Sequence, residues 1–131
     1  MALRRTKLLN IQSVTGIATV GIFTAGTTST PVGAASTTYL RSVIMHNTSS
    51  ATATSSLYIY PTSVAATGVA SAAYRLARVD LSSNETFFFE TNYPIVLTTG
   101  DKVVVEITTP ATGGTGIGTV INYQILGDTD I

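Results

Sequence analysis

The chain has 131 residues, no cysteine, one histidine, and seven basic against seven acidic side chains, giving a net charge of zero. That length supports one domain with a real hydrophobic core; halved, it would leave neither part enough buried area. Without cysteine there is neither a disulfide framework nor a thiolate metal site, and the balanced charge argues against nucleic acid as a main partner.

Hydrophobic residues make up 44% of the chain but charged residues only 11%, well under the roughly 25% of an ordinary soluble protein. Threonine and serine fill the gap at about a quarter of the chain. Threonine is β-branched and fits a pleated strand surface, so an all-β fold is expected. A surface so poor in charge is an association risk for a free monomer and suits one covered by neighbours.

Arg4, Arg5 and Lys7 make a basic start, and Asp128 and Asp130 an acidic finish. Two readings are open: solvated tails, or head-to-tail pairing between subunits. The basic start and the small residues Val32-Gly33-Ala34-Ala35-Ser36 also suggest a secretory signal, which would make this a surface protein. However, Asn10, Gln12, Ser13, Thr15, Thr19 and Thr24 break the apolar run such a signal needs. The same interruptions rule out a transmembrane helix of about 20 apolar residues, so no membrane partner is expected. Ile17, Thr19, Gly21 and Phe23 alternate with Ala18, Val20, Ile22 and Thr24, a strand with mixed faces. Residues 1–36 therefore read as an extended N-terminal arm and linker, docked on its own domain or on a neighbour. Its expected contact residues are Arg4, Arg5, Lys7, Ile17, Val20, Ile22 and Phe23.

Residues 37–131 read as the β domain. Tyr39 to His46 is a strand closed by the turn cluster Asn47-Thr48-Ser49-Ser50. Leu57 to Tyr60 follows, ended by Pro61, which has no N–H for the ladder. Tyr74 to Leu81 is the next strand and Ser82-Ser83-Asn84-Glu85 a turn. Thr86 to Glu90 is apolar on both faces at Phe87, Phe88 and Phe89, as expected of a strand with core on one side and a partner on the other. Ile95 to Leu97 runs into a tight turn at Thr99-Gly100-Asp101, then Lys102 to Thr108 and Thr119 to Leu126 complete the set. No window holds helical periodicity with caps. Seven or eight short strands with turns between them predict a single antiparallel β-sandwich, jelly-roll or immunoglobulin-like.

Residues able to do chemistry are few. His46 stands at a strand end and reads as a hydrogen-bonded residue rather than a general base. The acids do not cluster at ligand spacing, and Asp128 with Asp130 falls short of a calcium site. Gly113 to Gly118 has no following lysine or helix and reads as a plain loop. Glu85 and Glu90, an odd offset apart on one strand, would face opposite ways and cannot act as a glycosidase pair. Asn47-Thr48-Ser49 and Asn84-Glu85-Thr86 match the glycosylation acceptor pattern, which arises often by chance in a threonine-rich chain. No cofactor or metal is expected, and an enzyme is the least favoured class. A binding module using Tyr58, Tyr60 and Tyr93 on a glycan is the alternative to a structural role, with strand packing the preferred reading of these rings.

The succession Tyr39-Leu40-Arg41-Ser42-Val43-Ile44-Met45-His46-Asn47-Thr48-Ser49-Ser50, then Ser56 to Pro61, Tyr74 to Leu81 with Glu85-Thr86, and Pro94 to Val103 resembles small β-sandwich virion proteins of tailed bacteriophages, including those of cyanobacteria. Residues 1–36 and the glycine-rich stretch after Thr109 lie outside the resemblance. It implies a non-catalytic virion protein, expected as a trimeric capsid decoration (cement) protein that binds its own copies and the major capsid protein. A neck, tail or fibre component is the runner-up. The family has no catalytic residues to carry over.

Overall fold

A computed structural model describes residues 3–25, 37–62, 72–108 and 120–130. The strands are β1 (Leu3–Thr15), β2 (Ala18–Thr24), β3 (Thr38–Asn47), β4 (Ala53–Tyr60), β5 (Arg75–Leu81), β6 (Thr86–Leu97), β7 (Lys102–Thr108) and β8 (Val120–Asp130), with one short 3-10 turn at Ala72–Tyr74. They form two four-stranded antiparallel sheets, β1-β8-β3-β6 and β2-β7-β4-β5. The pairs β1 with β8, β2 with β7, β3 with β6 and β4 with β5 are those of one long antiparallel ribbon rolled up on itself. That is the jelly-roll arrangement, and it decides against the immunoglobulin-like alternative.

Within the stretch read as an extended arm, β1 and β2 each form an edge strand of one of the two sheets. They turn into one another at Gly16, whose φ of +75° suits a residue without Cβ. Ile22 and Phe23, expected to contact a neighbour, are buried in the chain's own core, and Val20 packs against it. A bulge between Gly21 and Phe23 turns two consecutive side chains inward, which strict alternation cannot anticipate.

The core lies between the sheets. Val43, Met45, Ile121, Tyr123 and Ile125 of the first sheet and Leu57, Val103, Val105 and Ile107 of the second are all fully buried. Each such aliphatic side chain contributes about 1.5–3 kcal/mol by leaving water. Within the core the layers also meet through a 2.6 Å hydrogen bond between Ser55 Oγ and the Tyr123 hydroxyl. It satisfies both buried oxygens, and without it each would carry the cost of an unpaired polar group.

One residue ties together the end of the sandwich where β3 finishes. Asn47 is fully buried; its Nδ2 donates to the carbonyls of Ala51, Leu81 and Ser82, and its Oδ1 accepts from the N–H and hydroxyl of Ser49. Its main chain accepts from Asn84 N and donates to Glu85 O. The turn after β3 and the turn before β6 are thus held by one amide. At the other end, Thr98-Thr99-Gly100-Asp101 closes on a 3.0 Å bond from Asp101 N to Thr98 O, with Gly100 at φ +93°. This is the tight turn expected there, and φ > 0 at its third position selects glycine. Gly127 has a different reason: a Cβ there would fall on the Tyr39 carbonyl oxygen of the neighbouring β3.

Burial pushes the Tyr123 hydroxyl up to about 12, with the bond to Ser55 pulling slightly the other way. A raised folded value means the folded chain holds this proton more tightly than the unfolded one. Its contribution is complete below the ordinary tyrosine value of about 10 and is lost as pH rises toward 12. Denaturant melts of wild type and Tyr123→Phe should show wild-type stability falling by on the order of 2 kcal/mol more than the variant's across that window.

Candidate interaction surface

Two sheet faces point outward, and they differ in character. On the second sheet, the outward positions of β4 are covered. Thr54 Oγ1 donates to Asp80 Oδ1 at 2.6 Å, and Tyr58 donates to Glu106 Oε1 at 2.9 Å. Tyr58 stacks on Tyr60, which in turn meets Tyr74, with ring centres 6.0 and 5.1 Å apart. Burial first, and the adjacent Glu106 second, raise the Tyr58 hydroxyl above its ordinary value. Tyr58 and Tyr60 are therefore packing residues, at 2% and 0% exposure, and offer no ring to a glycan. Of the three tyrosines considered for that role only Tyr93 is open, at 85% exposure.

The outward face of the first sheet is the less protected one. Register and alternation arrange it in transverse rows. Ser13, Asn122, His46 and Thr86 lie side by side across β1, β8, β3 and β6. Two residues along, Gln124, Ile44 and Phe88 form the next row. Ile11 joins Ile44, His46, Asn122 and Gln124 around a shallow depression of about 230 Å³. Ile11 is 66% and Phe88 57% exposed. Apolar side chains thus line the middle of a sheet face, broken on β8 by Gln124, and the next row is hydrogen-bonded and polar.

β6, one edge of this sheet, carries more of the same. Phe88, Tyr93 and Val96, half of the exposed large hydrophobic side chains among the described residues, sit on this one strand. Thr86–Glu90 and Ile95–Leu97 were expected as separate strands. They are one strand whose register with β3 slips between Leu40 and Ser42, so that Thr91 to Pro94 bulge out and present Tyr93. The phenylalanine run splits as its period dictates. Phe87 and Phe89 pack against the core, and only Phe88 faces outward. Two of the three expected contact residues in this run are therefore taken up by the fold itself.

The other expected contact residues scatter. Ile17 is exposed at the β1–β2 bend. Lys7 lies opposite Leu126, far from Ile17, and the backbones of Arg4 and Arg5 pair with Thr129 and Asp128. The strand that carries the basic start therefore pairs with the strand that carries the acidic finish, within one chain. Asp128 is buried, and its Oδ2 takes a 2.6 Å contact from Arg41 Nε, the residue at the bulge in β3.

Groups able to do chemistry hold structural positions. No set of three or more metal-ligating side chains comes together among the described residues. His46 Nδ1 and Thr86 Oγ1 form a 2.7 Å hydrogen bond, while Ser13 donates instead to Asn122 at 2.6 Å. Glu85 accepts from Ser82 N in its turn, and Glu90 lies out on β6 opposite Ser42. The Asp101 carboxylate is raised by burial but lowered more by the N–H groups and hydroxyls of Thr98 and Thr62, which leave it below its ordinary value. Asn47 has its amide fully engaged and buried, whereas Asn84 is exposed in the left-handed region at φ 61°. Gly113 to Gly118 lie outside the described residues. No described helix is long and apolar enough to cross a membrane. No protein-family model matches the chain, and no curated protein matches it in sequence.

Because Phe88 is already more than half exposed, Phe88→Ser should leave the unfolding midpoint within a few degrees of wild type, as surface changes usually do. Binding of an environment-sensitive apolar dye should fall several-fold, as measured by its fluorescence on the native protein.

Proposed function

We propose that this chain is a non-catalytic structural subunit of a tailed-phage particle, which works by packing the outward face of its first sheet against neighbours. The stripe of Ile11, Ile44 and Phe88, continued on β6 by Tyr93 and Val96, carries this reading. Monomeric proteins seldom leave large apolar side chains aligned on one face unless something covers them. The jelly roll suits the role, being shared by viral capsid domains as well as by lectins and cupins. The resemblance of residues 39–107 to small phage virion proteins supports a phage particle as the setting. It favours a trimeric decoration protein on the capsid surface, bound to the major capsid protein. Burial of apolar area at about 25 cal/mol per Å², repeated over a shell, would oppose its expansion.

A second reading is favoured by one observation, the 85% exposure of Tyr93 on a bulge. An open ring of that kind suits a receptor- or glycan-binding module on a neck, tail or fibre. Electron microscopy of intact particles, counting copies of the chain, separates the two. Hundreds of copies on the head, lost with Phe88→Asp, are expected. Six or twelve copies at the neck or baseplate would move the chain to the second reading, and absence from the particle would overturn both.

A further inference from the structure

We infer that the edge of β6 is a self-pairing site, at which a second copy of this chain adds antiparallel about a two-fold axis through Phe88. The inference does not rest on that reading: a two-fold contact joins two copies, either as a dimer or between neighbouring trimers.

The outer edge of β6 has no strand paired to it among the described residues. An unpaired edge offers a row of N–H and C=O groups, and natural proteins usually blunt such an edge with charge, proline or a bulge. Here the bulge at Thr91 to Pro94 blunts only the second half of the strand. Thr86 to Glu90 stays regular, between the Ser82–Glu85 turn and that bulge. Among the described residues it is the longest regular stretch of this edge with no strand beside it.

Its sequence is symmetric about its centre: polar Thr86, three phenylalanines, polar Glu90. A two-fold contact requires this property, because the same patch must be complementary to itself. Pairing about Phe88 sets Phe88 against Phe88 and Phe87 against Phe89 of the second copy. Glu90, the only charge on β6, then falls opposite the uncharged Thr86 and well away from its own counterpart. A slip of two residues either way would break this match. It would set Phe87 against itself and turn Phe88 toward Thr86, or set Phe88 opposite Glu90 and bring the two Glu90 carboxylates to within two residues of each other. The pairing also continues the apolar row. Ile44 and Phe88 of one copy meet Phe88 and Ile44 of the other, so the two apolar patches join across the seam of an eight-stranded sheet.

Disulfide trapping tests the register, because the chain has no cysteine of its own. Directly opposite residues in an antiparallel ladder lie about 4.5–5.5 Å apart at Cα, within disulfide range. Glu90 and its counterpart would be roughly 14 Å apart, four residues off along the strand. Under mild oxidation, Phe88→Cys should therefore give most of the protein as a band at twice the chain's 13.6 kDa. Thr86→Cys and Glu90→Cys should each stay single alone and cross-link when mixed, with Phe88 still in place. Self-linking of Glu90→Cys as fast as Phe88→Cys, or no product in the mixture, would overturn the inference.

Discussion

Everything on the surface of this molecule depends on the pairing of β1 with β8. Leu3 stands opposite Asp130 and Thr15 opposite Val120, so the two ends of the described chain are zipped together. That pairing makes β8 an interior strand with a neighbour on each side, and β8 carries Ile121, Tyr123 and Ile125 into the core. It also sets an outward row in register, because Asn122 pairs with both Ser13 of β1 and His46 of β3. Closing a loop that spans nearly the whole chain is entropically costly, and such non-local pairings fold slowly. The roll cannot be complete until both ends are present.

The amide of Asn47 and the turn at Gly100 hold the two ends of the sandwich against this slow closure. Asn47 links the turn after β3 to the one before β6 and so fixes where β6 begins. The exposed edge segment is therefore presented by a rigid frame, not by a loose end. The polar, hydrogen-bonded outer layer of the second sheet contrasts with it: there Tyr58, Tyr60 and Glu106 cover one another and leave little for a partner to gain.

Much of the fold is legible in the residues themselves. β7 stands where the alternation of Val103, Val105 and Ile107 puts it, and Pro61 and Gly100 mark real ends. The first strand is not legible, for a physical reason. Register shifts between Lys7 and Leu9 and again between Leu9 and Gln12 insert extra residues, and each one reverses which face the next side chain takes. The period-two signal is erased, and a polar edge strand looks like an arm. The same effect hides the burial of both Ile22 and Phe23. Of the interaction surface, Phe88 is legible from its place in the phenylalanine run. Its partners Ile11 and Ile44 are not, because they come together only through the order β1-β8-β3-β6, which spacing along the chain does not reveal.

Hydrogen exchange measured across a range of protein concentrations tests most directly whether this surface exists to be covered. The amides of residues 86–90 should exchange more slowly as concentration rises, while those of edge strand β5 stay unchanged. Exchange at residues 86–90 that is fast and independent of concentration, both alone and in the assembled particle, would contradict the account.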